Sequence, residues 1–440
     1  MTELTRRDLM RGLSLAVLAV AAADLLGGCS GDDKDEGDSV DGITLVSSDE
    51  DRAEGDSGAV PAVVGSIQAL GAGLYRKLRG QPGNLALSPF SVALALALTV
   101  NGAKGATLEE MQTVLSTRDL HELNGGLNSL TRHLESLAGK QERRDGSEAT
   151  IALDSANAIF GEQTETWERG FLDTLAREYG AGLQAVDFKS AAEAARLRIN
   201  DWVAGRTHDR IEDLIAEGVL DTFTRLVLVN ALYLKAPWEE PFNDRATQAK
   251  PFHVADGSPV AVPTMRAMLG RAGYGHGDGW QAVRLAYAGN ELAMTVLLPD
   301  QDRLADLEAT IGSGDLPSVL ASVEPASVDL SLPRWTFRTQ APLGDTLASL
   351  GMPTAFTDGA DFSAMTADEP LQIAAVLHQV FIAVDEDGTE AAAATAVVIR
   401  ATSARFPDRT VVVDRPFLFV IHDVAHGTPL FVGRVSDPRG

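Results

Sequence analysis

One stretch limits the folds open to this chain more than any other. It runs Asp385-Glu386-Asp387-Gly388-Thr389-Glu390, then Ala391 to Ala394, then Thr395-Ala396-Val397-Val398-Ile399. Alanines favour helix or exposed loop, whereas Thr395 to Ile399 favour strand. The alternate residues Thr389, Ala391, Ala393, Thr395, Val397 and Ile399 are small or apolar, and those between them begin with Glu390 and end with Arg400. That period of two suits a strand with one buried face. No proline interrupts it and its first residues are small, so the segment could enter a sheet between existing strands. A segment that is loop in one state and central strand in another is a conformational switch.

The rest of the chain is large enough to hold such a switch. Its 440 residues are 45% hydrophobic, ample for one large core or two ordinary domains. The formal charge of −25 argues against nucleic acid as a partner and against a polyanion-binding groove. Much of that charge lies between Gly31 and Asp56, where Asp and Glu residues face only Lys34 and Arg52 among Gly and Ser. Such a composition predicts a disordered, self-repelling tether over residues 29–61.

Residues 1–28 are predicted to be an export signal. Thr5-Arg6-Arg7-Asp8-Leu9-Met10 is similar to a twin-arginine motif, and the apolar run Leu13 to Ala23 is too short to span a bilayer comfortably. Leu26-Gly27-Gly28-Cys29 then supplies the chain's single cysteine in a Leu-small-small-Cys box. Lipidation of Cys29 is the expectation, holding the protein to a membrane surface with the acidic tether beyond it. The protein is therefore expected to be exported and lipid-anchored at the cell envelope or cell surface, with its globular part, residues 62–440, extracytoplasmic. With one cysteine no intrachain disulfide can form, so stability must come from the core.

Hydrophobic periodicity places helices first: Val63 to Arg79, Ser88 to Val100, Thr107 to Leu115, Leu120 to Leu137, Glu168 to Tyr179 and Ser190 to Thr207. Ile151 to Phe160 and Leu226 to Leu234 read as strands. The second half is richer in strands: Ala282 to Leu285, Leu292 to Leu298, Val328 to Leu332, His378 to Val384, Thr410 to Val413, Phe417 to His422 and Pro429 to Val435. Helices crowd one half and strands the other without βαβ alternation, so the class is α+β. No hydrolase elbow, zincin helix, phosphate-binding loop or dinucleotide fingerprint is present. Gly273 to Gly279 is Gly-rich but wrongly spaced, and reads as a turn between strands. The eight histidines do not cluster at metal-ligand spacing, so no metal and no cofactor are expected.

Four segments together resemble the serpin family. Glu386-Asp387-Gly388-Thr389-Glu390, the alanines and Thr395 resemble its hinge. Asn230-Ala231-Leu232-Tyr233-Leu234-Lys235-Ala236-Pro237-Trp238 resembles a strand segment of that family. Asp414-Arg415-Pro416-Phe417 to Ile421, with Leu430 to Val435, resembles its C-terminal signature, and Asn84 to Ser91 its first core helix. The resemblance covers roughly residues 62–438. It implies the serpin fold, with three β-sheets, eight or nine helices and an exposed reactive-centre loop, in a protein that is not an enzyme and is expected to be a monomer.

It also implies a function, irreversible suicide-substrate inhibition. A target serine protease would attack the loop, form an acyl-enzyme, and be carried away as the hinge inserts as a new strand. About fifteen inserted residues at ~3.3 Å each give a displacement of about 50 Å. Counting seventeen residues from Glu386, the family pattern puts the scissile bond at Thr402-Ser403, with Arg400 and Arg405 as rivals. A β-branched Thr suits a shallow apolar pocket, so elastase-like or subtilisin-like proteases are preferred targets, with a papain-like cysteine protease as an alternative. A non-inhibitory serpin acting as a carrier is the other alternative, disfavoured by the small residues Ala391, Ala392, Ala393, Ala394 and Thr395. By the same resemblance Ser88, Ser91, Asn230 and His378 would form a polar shutter beneath the sheet opening. Trp238, Arg334 and Glu386 would form a breach at its top.

Overall fold

The computed structural model describes residues 39–40, 42–255, 257–390 and 407–440. Cys29 and the loop residues Ala391 to Ala394, Thr395, Arg400, Thr402, Ser403 and Arg405 lie outside them.

The architecture is α+β, with nine α-helices among the described residues. Two hydrogen-bonded strand networks form the frame. The first runs Ser39–Val40, Ile43–Val46, Leu183–Val186, Glu148–Glu162, Leu226–Pro237, Gly388–Thr389, Ala375–Val384, Trp335–Pro342. The second runs Arg409–Val412, Glu324–Pro333, Pro259–Gly277, Trp280–Ala286, Leu292–Pro299, Phe417–Asp423, Pro429–Val435, Leu85–Leu87. The expected second and third sheets are joined because Pro259–Gly277, a 19-residue strand, runs through both.

That strand includes the run read as a turn. Gly273 to Gly277 pair with Trp280–Ala286, and the chain reverses only at Asp278 and Gly279. These glycines make room for neighbours rather than for a bend. A Cβ on Gly273 would lie 2.5 Å from Val323, and one on Gly277 2.5 Å from the Trp280 ring.

The first network is covered on both faces, so its middle strands read as unbroken apolar runs. Val227, Val229 and Ala231 face the helix Phe188–Arg206 through Phe188, Ala195, Ile199 and Val203. Leu226, Leu228 and Leu232 face the larger core on the other side. The helix Pro89–Val100 lies there, packed on Glu148–Glu162, Leu226–Pro237 and Pro429–Val435. All twelve of its residues are buried. Ser88 caps it by accepting the Ser91 N–H at 3.2 Å, and Pro89 opens it without sacrificing a helical hydrogen bond.

The acidic segment departs from its expectation. Residues 43–56 are docked on the body instead of forming a tether. Ile43–Val46 adds an edge strand to Leu183–Val186, and Ile43 is buried beside Phe188. Arg52 donates to Asn128 at 2.9 Å and to Thr131 at 2.7 Å, and pairs with Glu135 at 2.9 Å. Asp49, Glu50, Asp51, Glu54 and Asp56 stay exposed. Mean charge over a window hides this alternation: a few apolar residues and one arginine hold the strap while the acids remain solvated.

Candidate functional site

The central strands Leu226–Pro237 and Ala375–Val384 are parallel, and they pair directly only over part of their length. Val227 to Ala231 match Ala375 to Gln379. Above that point the strands diverge, and at the top Gly388–Thr389 sits between them. Thr389 pairs with Val384 on one side and Ala236 on the other, and Gly388 pairs with Pro237. The first two residues of the hinge strand therefore already occupy a slot that is otherwise closed below.

Thr389 faces inward. It is 1% exposed, and its hydroxyl is 2.6 Å from that of Tyr287. Tyr287 stacks on Trp238 with centroids 4.6 Å apart and planes within 4°. Gly388 is required by its setting: its φ is +155°, and a Cβ there would fall 2.2 Å from the Ala236 carbonyl oxygen. Glu390 leaves the slot with φ of +48°, and its carboxylate pairs with Arg210.

Glu386, Arg334 and Trp238 meet at this end. The Glu386 carboxylate pairs with Arg334 at 2.5 Å and accepts the Thr247 hydroxyl. Glu386 is only 3% exposed but the Arg334 side chain is 42% exposed, so the pair is shielded on its carboxylate side and open to solvent on the other. The Trp238 indole N–H donates to the Asp385 carbonyl at 3.0 Å, and its backbone N–H to that of Asp387 at 2.8 Å. Burial pushes the Asp385 and Asp387 carboxyls above the ordinary range.

Where the central strands do touch, a polar network lies beneath them. His378 and Asn230 are direct register partners, and the His378 Nδ1–H donates to the Asn230 side-chain oxygen Oδ1. His378 Nε2 accepts the Ser88 N–H at 3.0 Å, which fixes the neutral tautomer with the proton on Nδ1. Asn157 completes the network: its carbonyl oxygen accepts from Asn230 at 3.0 Å and from the Ser91 hydroxyl at 2.7 Å. Parting the strands would break these bonds, which is how such a network resists opening.

The sequence reading missed Asn157, Tyr287 and Thr247. Asn157 carried a weak signal, one of three polar residues, with Asp154 and Ser155, in the strand Ile151 to Phe160. Tyr287 and Thr247 carried none, because they reach the hinge only through tertiary packing.

Burial holds the His378 pKa down to about 4. An unfolded histidine titrates near ~6.5. Above that pH both states are neutral and stability is at its full value. As pH falls through the interval between ~6.5 and about 4, the unfolded chain takes up a proton that the folded network refuses. Stability is thereby lost at ~1.4 kcal/mol per pH unit, up to about 3 kcal/mol. Urea-unfolding midpoints at pH 4.5 and 7.5 measure this. His378→Gln should flatten the dependence; an equal slope in both proteins would assign it to other groups.

Comparison with known proteins places the chain. The serpin (serine protease inhibitor) family model matches residues 66–438. A serpin-like protein of Thermococcus kodakarensis is 35% identical over 381 residues, 86% of each chain. Human leukocyte elastase inhibitor is 34% identical over 365 residues, 81% of this chain and 93% of that one. The crystal structure of a thermophilic serpin, tengpin, in its native state superposes with a TM-score of 0.78 at 26% identity, covering 90% of this chain and 100% of that one. The chain belongs to the serpin family. That family consists mostly of protease inhibitors, so a protease is the kind of partner it binds.

Proposed function

We propose that this serpin is an irreversible suicide-substrate inhibitor of serine proteases of elastase-like or subtilisin-like preference. One observation carries the reading: Thr389 sits inward between two central strands that diverge at its level. A strand continued from Thr389 with period two would turn Ala391, Ala393, Thr395, Val397 and Ile399 to the same buried face and Glu390 to the other. Every side chain on that inward face is small or apolar, so full insertion meets no buried charge.

The protease supplies the chemistry. Its nucleophile attacks the Thr402 carbonyl, the Thr402-Ser403 bond breaks, and Ser403 takes up a proton as a new amine terminus while Thr402 stays esterified to the enzyme. The segment from Ser403 onward stays with the body through the strands Phe417–Asp423 and Pro429–Val435. Insertion then carries the ester about 50 Å before water can hydrolyse it. The likeness to leukocyte elastase inhibitor supports the choice of an apolar specificity pocket. The export motif and the Cys29 box extend the proposal to a lipid-anchored protein outside the cytoplasm, guarding the envelope.

The test mixes the protein with pancreatic elastase or subtilisin and resolves the products on a denaturing gel. A band near the summed mass, stable to boiling, is the expected result. Nicking without that band would instead mark a non-inhibitory member. Mass spectrometry of the C-terminal fragment, freed by denaturation, identifies the bond: a new terminus at Ser403 is expected, and one at Ala401 or Phe406 would move the scissile bond to Arg400 or Arg405.

A further inference from the structure

A second cluster lies apart from the hinge and its shutter. His133 stands in the last turn of the helix Leu120–Ser136, Asp423 ends the strand Phe417–Asp423, and His426 lies in the turn before Pro429–Val435. His133 Nε2 is 3.7 Å from Asp423 Oδ1, and His426 Nδ1 is 3.1 Å from the same oxygen. One ligand atom from each of the three side chains lies within 4.8 Å of the other two. We propose that His133, Asp423 and His426 bind a divalent transition-metal ion of the zinc class, tying that helix to the turn.

His133 Nε2 is shielded from solvent and has no hydrogen-bond partner. At 3.7 Å the carboxylate oxygen is too far to serve as one. Such an orphan ordinarily has a partner, because a shielded polar nitrogen left without one forfeits its interaction with water. The rings of His133 and His426 stand edge to face at 4.8 Å, so they converge without stacking.

The carboxylate is already held in place. The Asp423 side chain is buried; its Oδ2 accepts the Thr428 N–H at 2.8 Å and its Oδ1 the His426 N–H at 2.8 Å. Such outer bonds orient a ligand before the ion arrives. Tetrahedral zinc, with bonds of about 2.0–2.1 Å, asks for donors ~3.3 Å apart. The Asp423–His426 separation is near that value and the His133–Asp423 one slightly beyond it. The two histidine nitrogens, up to 4.8 Å apart, must draw together as the ion binds, and His426 Nδ1 must exchange its hydrogen bond to Asp423 Oδ1 for the ion. Both imidazole rings are partly exposed, so the cluster lies near the surface although His133 Nε2 itself is shielded. Two imidazoles and one carboxylate favour zinc, cobalt, nickel or copper over magnesium or calcium.

Because the ligands come from segments nearly 300 residues apart (~290), the ion would act as a clasp on the folded body and stabilise it by linkage. The test uses the full-length, untagged, chelator-stripped chain titrated with zinc by calorimetry and with cobalt by absorbance. Expected are one equivalent of each ion, a cobalt spectrum of tetrahedral intensity, and a zinc-dependent rise in melting temperature. His133→Gln and His426→Asn should each weaken zinc binding at least ~10-fold and abolish the melting shift. Asp423 is left intact because its carboxylate also organises the turn. The proposal is overturned if the stripped chain takes up no stoichiometric zinc, or if binding persists unchanged in both variants. Neither result depends on whether the protein inhibits a protease.

Discussion

Thr389→Arg is expected to turn the inhibitor into a substrate, cleaved at its loop and released from the protease without a lasting complex. In the structure Thr389 has a hydroxyl partner in Tyr287, no room for a larger side chain, and strands on either side. An arginine there would put an unpaired charge beside the Trp238–Tyr287 stack, at a cost of several kcal/mol. A barrier raised by only ~3 kcal/mol slows insertion about 100-fold. Hydrolysis of the ester, unaffected by the change, then wins the competition. The measurement is the ratio of complex to cleaved band on a denaturing gel at equal protease, with Thr389→Ser as the conservative control. The expected yield of complex falls from most of the protein to a few per cent in the arginine variant and stays high in the serine one. A full yield of complex with arginine at that position would contradict strand insertion as the inhibitory step. Since Thr389 is already buried before cleavage, a melting curve accompanies the gel, so that loss of the folded body is told apart from loss of insertion.

Cutting the loop without forming a complex should make the protein more stable. The slot between the central strands is filled only at its top by Gly388–Thr389, so each inserted residue below adds ladder hydrogen bonds on both sides. At ~1 kcal/mol net per bond, with burial of the small face, insertion contributes roughly 10–20 kcal/mol before chain-entropy losses. A body of this size melts with an entropy near ~0.8 kcal/mol/K, so the melting temperature should rise by roughly 10–25 °C. Insertion would also have to part His378 from Asn230 and thread past Asn157, a barrier that the proposed mechanism requires of the uncut chain. Calorimetry before and after limited cleavage by a protease that does not form the complex gives the answer. An unchanged transition would mean that the native form is already at its lowest energy, and the proposed mechanism would fail with it.

The hinge, the long core strands and the apolar helix Pro89–Val100 were legible in the sequence because each is a local pattern of small, apolar or turn residues. Glu386 and Arg334, and Ser88, Ser91, Asn230 and His378, could be named from the family resemblance; the structure brings both groups together by hydrogen bonds and an ion pair. Asn157 was legible in principle and passed over, since Asp154 and Ser155 are also polar in that strand and nothing local sets Asn157 apart from them. The misread segments failed for opposite reasons. Over residues 43–56 composition outweighed a short alternation, and Gly273 to Gly279 reads as a turn, whereas the glycines up to Gly277 serve close packing in a strand and only Asp278 and Gly279 turn.

By itself the sequence determined that this chain is α+β, that one alanine-rich arm is compatible with both loop and strand, and that this arm carries no bulk or proline to stop it entering a sheet. Those properties belong to single residues and their near neighbours, and they survive in any conformation. Only the tertiary structure decided that the slot is open at Thr389 and closed below Ala231. It also decided that Tyr287 meets the hinge and that His133 faces Asp423 across about two thirds of the chain. Such meetings are set by how whole sheets and helices pack, and no local pattern of side chains encodes the distance between segments that touch only after folding.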